Sequence, residues 1–201
     1  MRQGGAVPVG TEEDREATIL MRLDQFNNAG YHRGRPALVE ALWLVAQALL
    51  LRSFIPGSLH RRLLLRLFGA RIGTGVVIKP GVRVKFPWRL EIGDHSWIGE
   101  GVWIDNLAEV KIGANSCLSQ EAYLCTGSHD WSKATFDLMT APIIVGEGAW
   151  VAARAVVAPG VVIGEGAVLG LASLASKSLE ARGIYRGVPA SLERYRAVSD
   201  E

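Results

Sequence analysis

Two cysteines in 201 residues, Cys117 and Cys125, are too few for a disulfide framework. Both fall inside a repeat and read as small packed thiols of a reducing compartment. The formal net charge is only +2, which argues against a chain that binds polyanions as a whole. No uninterrupted apolar stretch reaches the roughly 20 residues of a membrane span. The N-terminus lacks a charged region leading straight into an apolar core, so no signal peptide is expected and a cytoplasmic location is. Acidic residues are locally scarce as well. From Tyr31 to Arg71 there are seven arginines and one acid, Glu40.

What is abundant is a period. From Ile72 through Ile78 and Val84 to Leu169 and Ala175, an aliphatic residue returns in steps of six. Fourteen of the fifteen positions are Ile, Leu or Val. Glycine often follows, as at Gly73, Gly93 and Gly113, and a small or β-branched residue comes four positions on, as at Val76, Ser96 and Ala108. This period predicts an all-β solenoid, a parallel β-helix in which three hexapeptides close one coil of about 18 residues. The intervals Ile72–Ile92 and Ile92–Ile112 are each 20, Ile112–Val145 is 33 and Val145–Ile163 is 18. The surplus always falls after the third aliphatic position, Val84, Ile104 or Leu124. Three insertions therefore leave by one corner: bulges near Pro87–Trp88 and Leu107–Ala108, and a loop over 128–140. Loops stacked on one side of a solenoid usually mark its binding face.

Outside the repeat the chain changes character. Residues 1–30 read as a polar arm, with a short helix around Glu12–Phe26. Residues 31–70 form an α-helical appendage. Pro36–Phe54 is free of glycine, rich in Ala and Leu, and opens on a proline suited to a first helical position. Glu40 and Gln47 interrupt its apolar run. Leu59–Phe68 sets Arg61, Arg62 and Arg66 beside Leu63, Leu64, Leu65 and Leu67 and ends at Gly69. That pattern suits either an interfacial helix on the inner face of a membrane or packing on protein. The solenoid occupies 71–180, and 181–201 reads as a C-terminal cap.

Chemistry concentrates in the long loop. It opens with Thr126-Gly127-Ser128-His129-Asp130-Trp131. A neutral imidazole is the usual general base near pH 7, and His129 stands where the chain leaves the coil; alternatively it only pins the loop. His32, His60 and His95 lack such a setting. Asp130 could orient the imidazole or cap the loop. Asp105 and Asn106, one coil below on the same corner, could hold a polar acceptor or simply make the turn. Trp88, Trp103 and Trp131 could stack on a sugar ring or pack against a neighbouring subunit.

The repeat, the T-G-S-H-D loop, Ala141–Val151 and the G-V-P-A end at Gly187–Ala190 resemble the hexapeptide-repeat O-acetyltransferases. Leu65–Gly73, Phe86–Asp94, Trp97–Glu100, Trp103–Leu107 and Phe136–Leu138 are similar to the colanic-acid-biosynthesis acetyltransferase group. The likeness covers roughly Gly30 to Ala190. It implies the left-handed form of the helix, acetyl-CoA as co-substrate without a metal, and a homotrimer with sites between subunits. It also implies His129 as the base that deprotonates an acceptor hydroxyl; Asp105, Asn106 and Trp131 are expected beside the acceptor from their position at the insertion corner. The coenzyme would lie along Ala153, Leu171 and Ser176, with Lys177 at its phosphate and Arg194 at its adenosine end. Leu171 is bulkier than the residue the family carries there.

The function that follows is transfer of acetyl from acetyl-CoA to a hydroxyl of a saccharide or lipid-linked saccharide in exopolysaccharide biosynthesis, with no nucleic acid involved. A covalent Cys125–His129 route is a further possibility. Two other classes compete. A carbonic anhydrase-like β-helix metalloenzyme needs three histidines at one interface. A non-catalytic assembly protein needs only the solenoid.

Overall fold

The structure, a computed structural model, describes residues 21–197. It consists of two units, Met1–Tyr31 with His129–Leu138, and His32–Ser128 with Met139–Glu201.

The larger unit holds the solenoid. Its strands form three sheets of five, seven and five strands, parallel throughout except for one C-terminal hairpin. On the first sheet Ile72 pairs with Ile92, Ile92 with Ile112, Ile112 with Val145 and Val145 with Ile163. The register holds whether the interval contains 18 residues or 33, because surplus chain is diverted before it reaches the sheet. All fifteen residues of the six-step series are buried. Alternate side chains of a strand point to opposite faces, so the residue before each of them faces outward. The small positions sit at tight corners. There the Ser96 hydroxyl donates to the Gly113 carbonyl of the next coil at 2.7 Å, and Ser116 to Gly146 at 2.8 Å. Ala108 is the exception, half-buried at a bulge. A Cβ on Gly113 would stand 2.5 Å from the Glu147 nitrogen, so only glycine lets the coils stack there.

Val84, Ile104 and Leu124 pair with one another on the third sheet. The corner between that sheet and the first therefore takes every insertion. The first is a 3₁₀ turn at Pro87–Arg89. The second runs over 106–109. At the third, the strands Gly127–His129 and Leu138–Thr140 pair as a hairpin.

Before the solenoid lie α1 (Ala37–Ala46), continued by a π-helical turn Gln47–Leu51, and α2 (Leu59–Leu67). The first helix thus ends at Leu51 rather than at the expected Phe54. The cause is Arg61. Its guanidinium is buried and donates to the carbonyls of Leu51 (3.0 Å), Ile55 (3.0 Å), Ser53 and Gly57. The chain winds round this one side chain instead of extending the helix. Burial pulls the Arg61 pKa down from its ordinary value, and no carboxylate is among these partners.

The helical segment stands in for a coil below the first one. The Gln47 side-chain oxygen accepts from the Val84 nitrogen at 2.6 Å, the Ser58 hydroxyl from the Ile78 nitrogen at 3.0 Å and the Arg52 carbonyl from the Gly81 nitrogen at 3.2 Å. At the other end, strand Gly183–Gly187 pairs in parallel with Val168–Leu169 and antiparallel with Ala190–Tyr195. The C-terminal segment begins as this hairpin, and 198–201 lie outside the described residues.

In the smaller unit, most of the helix expected around Glu12–Phe26 falls outside the described residues; Leu23–Gln25 forms a 3₁₀ turn. The Arg22 nitrogen donates to the Ala134 carbonyl at 2.8 Å and the Asp130 nitrogen to the Asp137 carbonyl at 2.9 Å.

Arg61→Met should strip four carbonyls of their donor. We expect a loss of roughly 3 kcal/mol, read as a lower midpoint in urea unfolding, with Arg61→Lys only partly restoring it because an ammonium lacks the fork. An unchanged midpoint would show that the turn is held by something else.

Candidate active site

His129 lies at the end of strand Gly127–His129 and is partly buried. Its Nδ1 is 2.8 Å from the Phe136 carbonyl oxygen. A carbonyl only accepts, so Nδ1 must carry the proton, and the neutral ring then presents an unshared pair at Nε2. The ring lies flat on Phe136, with centroids 4.1 Å apart and planes within 1°, and the Phe26 ring tilts against it at 5.7 Å. Phe136 reaches this position through a left-handed backbone, φ 50°, uncommon for a bulky residue. One residue thus fixes both the tautomer and the plane of the imidazole. Phe136 lies in the F-D-L segment, but a backbone carbonyl leaves no mark in a sequence and its part was not legible there.

Asp130 closes the loop. Its Oδ1 accepts from the Ser132 nitrogen at 3.0 Å and the Ser132 hydroxyl at 2.5 Å, and Lys133 stands 3.7 Å from its other oxygen. The Ser132 bonds, then Lys133, hold its carboxyl below the usual carboxylate range. Lys133 also pairs with Asp137 at 2.9 Å. These contacts are those of a loop cap. Trp131 is 79% exposed, with its indole open to a ligand.

The insertion corner of the larger unit carries Asp105 and Asn106. Asn106 differs from the expectation. It is fully buried, its Oδ1 accepts from the Phe86 nitrogen at 2.9 Å, and its Nδ2 donates to the Phe86 carbonyl at 2.7 Å. The two-residue bulge breaks the backbone ladder here, and the side chain replaces the missing rung. Fully buried and bonded to Phe86 at both ends, its amide does not reach the surface where an acceptor would lie. Asp105 is half-buried and takes a bond from the Tyr123 hydroxyl at 3.3 Å. Burial, then the neighbouring Cys125 thiol, pushes the Tyr123 pKa upward, so the phenol stays protonated and donating. The Cys125 thiol is itself spent on the Gly127 carbonyl at 3.1 Å.

Two residues of the T-G-S-H-D loop have roles that the sequence did not disclose. The buried Thr126 hydroxyl donates to the Asp105 carbonyl and accepts from the Ala108 nitrogen, each at 2.9 Å. A Cβ on Gly127 would stand 2.6 Å from the Leu107 side chain. Together they bind the base of the loop to the bulge of the coil below.

Trp103 has no face to offer a sugar. It stacks on Tyr123 with centroids 4.6 Å apart, and the Arg83 guanidinium covers its other side at 4.2 Å. Trp88 stacks on Phe86 at 5.1 Å.

The residues expected at the coenzyme are spread within the larger unit. Ala153 and Leu171 share the corner between the second and third sheets, where the Ala172 nitrogen donates to the Ala153 carbonyl at 3.0 Å. Ser176 and Lys177 are exposed at the insertion corner, and Arg194 lies on the outer hairpin strand, opposite Ile184. Among the described residues, no group of three or more His, Cys, Asp or Glu is arranged to hold a metal ion.

No protein-family model matches the chain. Over 170 residues, 84% of this chain and 93% of the relative, it is 45% identical to an Escherichia coli K12 protein named colanic acid biosynthesis acetyltransferase WcaF. The chain belongs to that family. It is an acetyltransferase, and the expected hexapeptide-repeat fold is the one observed. Among solved structures, the hexapeptide-repeat acetyltransferase VCA0836 of Vibrio cholerae, complexed with acetyl coenzyme A, is similar at a TM-score of 0.72 over 81% of this chain and 91% of that one, with 23% identity. A galactoside acetyltransferase in complex with coenzyme A is similar at 0.70 over 79% and 80%, with 21% identity. At such identities the structural likeness speaks for the fold.

Proposed function

We propose that this enzyme moves acetyl from acetyl-CoA to a hydroxyl of a saccharide or lipid-linked saccharide during exopolysaccharide assembly, with His129 as general base. The observation that carries the reading is the Nδ1–Phe136 bond at 2.8 Å, which leaves the Nε2 pair as the proton acceptor. Nε2 takes the hydroxyl proton as the hydroxyl oxygen attacks the acetyl carbonyl carbon. The tetrahedral intermediate collapses by breaking the carbon–sulfur bond, and the proton passes from Nε2 to the departing thiolate. A backbone N–H of a neighbouring coil steadies the oxyanion. No covalent enzyme intermediate is required, consistent with a Cys125 thiol already engaged by the Gly127 carbonyl. Asp105 and Trp131 serve the acceptor, and the saccharide class is supported by the named role of the Escherichia coli relative.

The coenzyme is assigned to Ala153, Leu171, Ser176, Lys177 and Arg194. Ala153 and Leu171 stand at one corner and Ser176 and Lys177 at another, so no single corner gathers the set. On this reading the coenzyme lies between two subunits, each lending one of the corners, and the enzyme is a homotrimer with sites at its subunit boundaries.

His129→Ala should cut kcat by about 10²–10⁴-fold with folding and coenzyme binding intact. Mass spectrometry of acetyl-CoA incubated with candidate saccharides gives the readout. A variant that keeps more than half of wild-type kcat would remove His129 from the mechanism. Lys177→Glu should raise the KM for acetyl-CoA more than that for the acceptor, since a lysine near a phosphate makes a charge-assisted contact; equal effects would mark a solvated lysine. Light scattering on active enzyme should give three subunits, and an active monomer would refute the shared-site arrangement.

A further inference from the structure

The helix α1 is built inside out. Its inward stripe is Glu40, Trp43, Gln47 and Leu51, and two of these four are polar. Glu40 pairs with Arg33 at 3.0 Å, Gln47 accepts from the Val84 nitrogen, and Trp43 donates to the Val84 carbonyl at 2.9 Å. The outward side carries Leu38, Leu42, Leu44, Val45 and Leu49, all exposed, with only alanines between them. A water-facing helix shows the opposite distribution. The apolar surface continues past the helix. Arg61 draws the Ser53, Ile55 and Gly57 carbonyls inward. The turn it fixes holds Phe54 outward at 81% exposure and Ile55 at 50%. On α2, Leu59, Leu63 and Leu67 stand exposed at four-residue spacing, with Arg66 exposed among them.

We propose that this surface docks on an anionic phospholipid bilayer, lying in the interface without crossing it. Length excludes crossing: α1 and its π turn have ten and five residues, about 22 Å at 1.5 Å per residue against roughly 30 Å of hydrocarbon. No helix among the described residues is long and apolar enough to span. Charge selects the occupant. The segment from Tyr31 to Arg71 carries seven arginines against Glu40, and Glu40 is already neutralised by Arg33. Exposed Arg35 and Arg52 would find their counter-charge in anionic headgroups, and so would Arg66, whose guanidinium is held by the Ile72 and Gly73 carbonyls without a carboxylate among those partners. A second copy docking face to face would bring the same positive charge. Apolar side chains at the acyl boundary and arginines at headgroup level are the two terms that hold an interfacial helix.

The test is flotation of the full chain with vesicles of phosphatidylcholine alone or with phosphatidylglycerol, at low and high salt. We expect flotation with the anionic vesicles, weakened by salt. Leu42→Glu with Val45→Glu should lower the partition coefficient at least about tenfold, since two buried apolar side chains become carboxylates. Phe54→Ser, at the turn tip, should lower it without touching either helix. Circular dichroism and light scattering check that the variants keep fold and size. The proposal is overturned if the chain does not float with anionic vesicles, or if folded variants float as well as wild type. It is equally overturned if the variants change the number of subunits while flotation stays the same, which would make the surface a contact between copies.

Discussion

The coil-to-coil register is the constraint on which the rest of this protein depends. Each rung must place an aliphatic side chain directly over the one below, as Ile72, Ile92, Ile112, Val145 and Ile163 do. A sheet tolerates no slip, because a shift of one residue would turn the buried row outward. Variation is therefore forced into the corners, and in this chain into one of them. The 3₁₀ turn at Pro87–Arg89, the turn at 106–109 and the hairpin loop that carries His129 are three answers to the same rule. The strands before and after each insertion keep their register, so an inserted segment of any length leaves the ladder undisturbed.

Much of this was legible in the sequence, since a six-residue period is visible without side-chain detail. The fifteen ladder positions, the shared insertion corner and the two helices could all be read from spacing. What was not legible depends on partners that spacing does not reveal. Asn106 could be read as facing a ligand or as making the turn, and spacing could not choose between them; in the structure its amide is bonded to the Phe86 backbone across its own bulge. Trp103 could be read as a sugar platform or as packing against a neighbouring subunit, and spacing did not reveal that Tyr123 covers one face and Arg83 the other. The imidazole of His129 was legible as a candidate, but its tautomer depends on the carbonyl of Phe136, and main-chain conformation at a non-glycine residue has no letter of its own.

The first helix shows a different limit. Its run of Ala and Leu predicts a helix and says nothing of its rotation, because an apolar face exists all round. Glu40 and Gln47 read as interruptions. They are instead the residues that set the rotation, since a carboxylate with Arg33 and an amide with Val84 leave one side for the protein and surrender the other. Polar groups thus orient a helix that hydrophobicity alone would leave undetermined.

The helical segment has a consequence for the molecule as an object of finite length. A β-solenoid is in principle endless: its last coil offers the same unpaired edge as any fibril, ready to template another chain. Here the lower edge is closed by borrowed groups, the Gln47 amide, the Ser58 hydroxyl and the Arg52 carbonyl, none of which belongs to a strand. The upper edge is closed on the second sheet by Ala190–Tyr195, which runs against the grain of the strands below it. Among the described residues, neither the helical segment nor the hairpin repeats the pattern that a further coil would have to match. The number of coils is therefore set by the helical segment below and the hairpin above, which deny a further coil the edges on which it would have to grow.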